Sequence, residues 1–528
     1  MFDIPQVLLP EFMALHARDR PDKPALIVAG ETLTWSGFEA AMGRVAGALA
    51  SRGLGPGDTV AVLAEPVLPA IVAQFGAIKA GCAVASLSSA VSDSDLGGLL
   101  SDCGARLLLA SASARAKAEA ALGQPTAPSA LAKVALDFAA PGWQPLADFL
   151  TGGPAPAVGI DENAPYCLIY SSGTTSLPKG IVLSHRCRLV YSQILGQAFG
   201  YAADTMSITG TALYSNTTWS ILNMTFLAGG TAVVMPRFEA GEFCRLVARH
   251  RVSHTILVPA HFQAIEQQLA SAAADFSSFR AVVTVGSLMP ADTKRRLYRL
   301  FGGCLHEVYG LTEGFASVLR PADIERQAES VGRPLPGNDI RILDHQDREI
   351  GDGSPGEIVG YSPFLMRGYH NNPGKTEEAI WRDGRGRSFL RSGDVGRIEN
   401  GFLHLVDRKK DMIVSGGQNV YPADIERVLM AHPAVREAAV IGVPHARWGE
   451  TPLALVVPKA EPPPGAEALR DWANARLGRY QRLAALEFRD SLPRNAGGKV
   501  LKRELRQPYW SQGQPCTDFP DPSKQPTS

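Results

Sequence analysis

At 528 residues, with 45% apolar and 20% charged side chains, the chain is too long for one hydrophobic core, and two or more globular domains are expected. Lys+Arg and Asp+Glu balance at 52 each, so no positive field favours nucleic acid, which is excluded as a partner. Seven cysteines without CxxC spacing argue for reduced, buried thiols and against a disulfide frame or a zinc site.

The start, MFDIPQVLLPEFMALHARDR, lacks the charged end and apolar core of a signal peptide. No apolar run approaches membrane-spanning length. A cytoplasmic, soluble protein is expected, and a homodimer is left open. Next, WSGFEAAMGRVAGALASRGL carries apolar residues at helical spacing, and GPGDTVAVLA adds a turn and a short apolar strand. PAIVAQFGAIKAGCAVASL repeats that order, and TAVVMP, HTILVPA and AVVTVG read as further buried strands. Such alternation predicts an α/β fold: a large N-terminal domain of helix-covered parallel sheets. From 338 to 406 short strands and turns (NDIRILD, GEIVGYS, GFLHLVDR) predict a small β-rich subdomain. A small, compact α+β C-terminal domain should follow. The expected boundaries are 1–407, 408–507 and a disordered Pro-, Ser- and Gln-rich tail, 508–528.

Four stretches carry chemistry. In YSSGTTSLPKG, Ser171, Ser172, Thr174 and Thr175 are hydroxyl donors, and Gly173 and Gly180 let the backbone approach a ligand. Lys179 supplies a point charge for phosphate. The loop follows the apolar strand YCLIY, and its Pro-Lys-Gly order differs from a Walker A loop. In HEVYGLTEG, Tyr309 offers a flat face for a base, Thr312 a hydroxyl and Glu313 a hard oxygen for magnesium. In RSGDVG and the VDRKK that follows, Asp394 can accept from two ribose hydroxyls and Arg408 can add a contact. In LPRNAGGKVLKREL, Lys499 stands behind two glycines. Each stretch alone also has an ordinary explanation: a polar turn, a buried tyrosine beside a helix cap at Thr312, a surface ion pair, a solvated lysine.

Together, in this order, the stretches resemble the signature blocks of the adenylate-forming superfamily: acyl- and aryl-CoA synthetases, peptide-synthetase adenylation domains and beetle luciferases. The resemblance runs over about residues 10 to 507 and is nearest to AMP-forming acyl-CoA ligases. It implies ATP, Mg2+ and coenzyme A as cofactors and co-substrates. The loop from Ser171 to Lys179 should hold the β- and γ-phosphates, and Tyr309 should stack on adenine. Gly286, Glu307, Val308 and Gly310 should line the base. Thr312 should touch the α-phosphate, Glu313 and Thr174 should hold Mg2+, and Asp394 and Arg408 the ribose. Lys499 should bridge carboxylate and α-phosphate. Lys410 sits at the hinge position, and Gly416 and Gly417 should leave room for the pantetheine arm of CoA.

The acid pocket is expected along ALYSNTTWSILN, with Tyr214, Ser215, Trp219 and Asn223 as lining. Ser215 stands where many relatives carry histidine. Plain core packing is an equal reading of Trp219. No charged residue falls in that stretch, so an apolar or aromatic monocarboxylate, a fatty acid or a cinnamate- or benzoate-like acid, is expected. No carrier domain follows residue 507, which favours free CoA as acceptor. Loading of a separate carrier protein is the alternative, and a catalytically inactive ATP-binding relative is the second.

Overall fold

The computed structural model describes residues 7–151, 153, 158–171, 178–415, 418–445, 447–459, 463–494 and 500–510. The chain forms two compact units, Met1–Ile340 with Gly360–Leu390, and Arg341–Val359 with Arg391–Ser528.

The first unit is built on two mixed sheets. One has eight strands, and its interior pairs Thr59–Leu63, Ala83–Ser86 and Ala105–Ala110 in parallel. These strands read as continuous apolar runs because helices cover both faces, leaving no solvent side for polar residues. The parallel order ends at one edge, where β1 (Pro165–Ser171) turns back antiparallel into β2 (Lys179–Ser184). Two helices follow, α1 (His185–Phe199) and α2 (Asn216–Ala228). The second sheet has nine strands. Thr231–Val234, His254–Leu257 and Ala281–Val285 lie in its parallel interior. It reaches an antiparallel edge at β3 (Leu305–Leu311) and β4 (Gly314–Leu319). The chain then returns to the first sheet as the short strand β5 (Gly368–Tyr369), paired on β2. Both antiparallel edges carry expected site residues.

An aromatic cluster fills the core between helices and sheets. Phe75 meets Phe226 at 5.0 Å and Trp219 at 5.9 Å, and Phe38 meets Phe226 at 5.2 Å. Such pairs contribute about 0.5–1.5 kcal/mol each beyond area burial. Helices Trp35–Ala50 and Leu68–Lys79 approach so closely that a Cβ on Gly76 would fall 2.6 Å from Val45 Cβ. Cys82, Cys103, Cys167, Cys187 and Cys244 are buried, and burial pushes the Cys82 and Cys103 thiols up to about 12.

In the second unit, β6 (Ser388–Glu399) pairs antiparallel with β7 (Phe402–Arg408), aligning Asp394 with Arg408. A five-stranded sheet follows, dominated by the ribbon Val435–His445 and Gly449–Pro458. Helices Pro422–Met430 and Ala466–Asn474 bury Ile425, Leu429 and Leu469 against Val440 and Val456. The last described helix is α3 (Lys502–Trp510).

Most of β6 belongs to the second compact unit, because its cross-strand hydrogen bonds hold it to β7. Residues 508–510 are helical, not tail: Leu505 and Tyr509, one turn apart, pack on the ribbon, and Trp510 Nε1 donates to Gly442 O at 3.0 Å. Residues 511–528 lie outside the described set. Among described residues, no helix is long and apolar enough to cross a membrane.

Candidate active site

The β3–β4 hairpin presents Thr312 and Glu313 in the turn between its strands, not at a helix start. Gly314 makes that turn: its φ is +141°, and a Cβ there would fall 2.6 Å from Leu365 Cδ2 and 2.8 Å from its Cα. Any side chain would be both strained and crowded. Gly314→Ala is expected to cost about 1–3 kcal/mol from overpacking alone, to be read as a lower thermal midpoint, together with weaker nucleotide binding.

The β1–β2 hairpin places Ser171 opposite Lys179, so both ends of the hydroxyl-rich loop lie side by side. Ser172, Gly173, Thr174, Thr175 and the side chain of Ser171 lie outside the described residues. Lys179 Nζ sits 4.8 Å from the centre of the Tyr369 ring. The Tyr369 hydroxyl in turn donates to Glu313 Oε1 at 3.0 Å. Glu313 is tied further by its own carbonyl, which accepts from Met366 N at 2.7 Å. Burial, then the Glu313 carboxylate, push the Tyr369 phenol well above its ordinary pKa, so it stays a proton donor. Tyr369 thus joins the phosphate lysine to the expected magnesium ligand. Sequence reasoning missed it, because GYHNN has no chemistry of its own until β5 pairs with β2.

Around the expected base site, Gly286 follows Ala281–Val285 with φ +97°, and a Cβ there would meet nothing closer than 3.7 Å. Backbone conformation alone therefore calls for glycine. Tyr309 is buried, its ring 6.3 Å from Phe315 at a steep angle. Val308 packs on the core that holds the Phe38, Phe75 and Phe226 cluster, and Gly310 pairs with Ala316. Glu307 is turned inward: Lys294 Nζ lies 2.5 Å from its Oε2, with both side chains at most 2% exposed. Lys294 also donates to the carbonyls of Ala328 at 2.8 Å and Ser330 at 3.0 Å. Burial raises the Glu307 pKa against the pull of Lys294. Its carboxylate is committed to packing, leaving only its backbone for a base.

In the second unit, Arg408 Nε lies 3.2 Å from Asp394 Oδ1, the carboxylate largely buried and the guanidinium part-exposed. Lys410 stands exposed in the next turn, where Asp411 N and Met412 N donate to Arg408 O. Arg506 of α3 donates to the carbonyls of Lys410 at 3.0 Å and Asp411 at 2.9 Å, bracing that turn. Gly416, Gly417 and Lys499 lie outside the described residues.

Along the expected acid pocket, Ser215 caps α2 by accepting from Thr217 N at 3.2 Å. Serine suits this position because its hydroxyl satisfies an otherwise orphaned helix amide. Tyr214 is part-buried in the turn before it. Trp219 and Asn223 are buried on one face of α2, with Tyr166 Oη donating to Asn223 Oδ1 at 2.9 Å. The Trp219 ring packs on Phe75 and Tyr166, while its indole Nε1 is buried without a hydrogen-bond partner among the described residues. The structure adds Arg188 of α1, which donates to Asn216 Oδ1 at 2.9 Å. It lies far upstream in HRCRLV, so only the packing of α1 on α2 brings it here.

The architecture is that of a large α/β unit of mixed sheets with a smaller α+β unit after it. The AMP-binding enzyme family matches residues 13–370, and the AMP-binding enzyme C-terminal domain matches 424–499. A fatty acid–acyl-carrier-protein ligase of Streptomyces coeruleorubidus is 32% identical over 509 residues, covering 94% of this chain and 95% of its own. Feruloyl-CoA synthase of an Amycolatopsis species is 33% identical over 500 residues, covering 94% and 97%. Among solved structures, ATP-bound MatB from Rhodopseudomonas palustris superposes with a TM-score of 0.85 at 28% identity, covering 96% of this chain and 100% of that one. The chain belongs to the AMP-forming acyl- and aryl-CoA ligase superfamily. It is accordingly an AMP-forming ligase acting on carboxylic acids, with ATP bound as a substrate.

Proposed function

We propose that the enzyme converts ATP, a carboxylic acid with an apolar or aromatic body, and free coenzyme A into acyl-CoA, AMP and pyrophosphate. A carboxylate is a poor electrophile, because its charge is delocalised and its oxygen leaves badly. In the first step a carboxylate oxygen bonds to the α-phosphorus and the bond to pyrophosphate breaks. In the second, the CoA thiolate attacks the acyl carbon and AMP leaves. The first step drives an anion toward a polyanion, so positioning and charge neutralisation dominate.

The observation that carries this reading is the convergence of Lys179 and Tyr369 from two paired strands with Glu313 from the β3–β4 turn. Lys179 meets the departing phosphates, while Thr312, in the same turn as Glu313, meets the α-phosphate. Glu313 keeps one oxygen on Tyr369, and no described residue takes the other. That donor fits Mg2+, which prefers one or two carboxylates plus phosphate oxygens. When bound, the ion would offset phosphate charge. Asp394 and Arg408, already paired, present acceptor and donor to the ribose hydroxyls. Lys499 bridges carboxylate and α-phosphate in the adenylating state only.

Tyr369→Phe keeps the ring under Lys179 and removes the hydroxyl from Glu313. Hydrogen bonds to charged groups contribute about 1.5–3 kcal/mol. The Mg2+ concentration needed for half-maximal ATP binding is expected to rise roughly tenfold, read by calorimetry without turnover.

The test of the function is a panel of fatty, cinnamate-like and benzoate-like acids with ATP, Mg2+ and CoA. AMP and thioester are measured together, with a phosphopantetheinylated carrier protein as a parallel acceptor. AMP and acyl-CoA in equal amounts support the proposal. Loading of the carrier with CoA left untouched transfers the assignment to carrier loading. No pyrophosphate from any acid makes the chain an inactive relative, and ADP as product removes the adenylate altogether.

A further inference from the structure

Arg188 is a charge that its surroundings do not balance. It is 2% exposed. Nη1 donates to Asn216 Oδ1 at 2.9 Å, whereas Nε and Nη2 are buried and meet no oxygen or nitrogen acceptor among the described residues, the Cys167 thiol being the other polar group in reach of the guanidinium. Among the described residues no carboxylate pairs with it. Its neighbours are uncharged: the thiols of Cys167 and Cys187 and the phenols of Tyr166 and Tyr191. The Tyr191 and Trp219 rings lie 5.8 and 6.0 Å from its guanidinium carbon. An arginine cannot escape burial by losing its proton, and a buried charge without a partner is costly.

Two further observations fix the kind of partner that is missing. Nε and Nη2 form one edge of the guanidinium, the edge that takes a carboxylate side-on through two parallel hydrogen bonds. Trp219, whose ring lies 6.0 Å from the guanidinium carbon, and Asn223, one helical turn further along α2, likewise leave Nε1 and Nδ2 buried and unpartnered among the described residues. Tyr166 links these groups, with its hydroxyl on Asn223 and its ring 5.7 Å from Trp219. His185 adds no second cation, since burial pushes its pKa down to about 4. Trp219 and Asn223 belong to the stretch 212–223 read as the acid pocket.

We infer that Arg188, with Trp219 and Asn223, forms the far end of that pocket and receives a second carboxylate, borne by the acid at the end opposite the one that is activated. This rests on the ligase reading above and revises one part of it. The plain monocarboxylate was expected because residues 212–223 carry no charge, and α1 brings that charge from outside the stretch. Water does not reach the free edge, so the arriving anion needs an apolar body able to replace side-chain packing. An acyl chain or aromatic ring has one, and a free inorganic anion does not.

The experiment compares matched acids of equal length, each monocarboxylate against its counterpart with a carboxylate at the far end, in both fatty and aromatic series. Acid-dependent pyrophosphate release is read as kcat/KM, and direct binding by calorimetry. Wild-type protein is expected to prefer diacids, and in Arg188→Met that preference should fall by about a hundredfold, the scale of a lost buried charge pair. Arg188→Lys should recover little, because a point charge lacks the two-pronged edge. The wild-type calorimetry needs no variant to fold. Monocarboxylates bound and activated better by wild type, with the ratio unmoved in Arg188→Met, overturn the inference and leave Arg188 as a cation held by aromatic rings. Failure of wild type to release pyrophosphate with any acid of either series instead removes the ligase reading, and the second carboxylate falls with it.

Discussion

Lys499→Ala protein is expected to form acyl adenylate about 10²–10³-fold more slowly, the usual consequence of removing one preorganised donor from a developing charge. In the proposed role the ammonium matters because carboxylate and α-phosphate repel until an oxygen of each is held by the same cation. A lysine suits this duty, since its charge is compact and its stem mobile. The contact is made in the transition state, so acid and ATP affinities should change far less than the rate. The second half-reaction supplies the control. Given synthetic acyl adenylate and CoA, the variant should form thioester at close to the wild-type rate, since attack on the acyl carbon makes no use of that contact. The two rates are read separately, by acid-dependent pyrophosphate exchange and by thioester release. Adenylate synthesis that continues undiminished would sink the assignment.

Lys410→Pro is expected to do the reverse: adenylate formation persists, while thioester release falls by about a hundredfold, ~2.7 kcal/mol in barrier. Lys410 is proposed as the hinge because the motifs IVSGGQNV and NAGGKV, both proposed to act at one reaction centre, follow it in the chain. On that proposal, a rotation between half-reactions would let each take its turn. Proline holds its own φ near one value and restricts the residue before it, so it stiffens the turn after β7. Arg506, through the carbonyls of Lys410 and Asp411, already limits that turn from the α3 side. Stopped-flow measurement of both half-reactions decides the matter. An equal fall in both would mean a damaged fold, and the hinge would move elsewhere.

Much of this protein is legible in its residues taken in order. Apolar runs such as TAVVMP and AVVTVG become buried parallel strands because local periodicity and burial agree there, and each strand needs only helices on both faces. The signature blocks are local as well: phosphate, base and metal chemistry need particular side chains at short spacing, which a chain displays without being folded. Family membership followed from them. What tertiary structure decided are relations between distant segments. Glu307 is spent on Lys294, and the Trp219 ring meets Phe75, because packing and not spacing assigns a side chain its partner. Tyr369 reaches Glu313 only across a strand pairing of β5 with β2. Arg188 meets Asn216 only where α1 lies on α2, and its charge has meaning only once burial removes water from around it. Spacing along a chain records which groups are present, whereas desolvation and partnership, which set their energies, arise when the chain closes on itself.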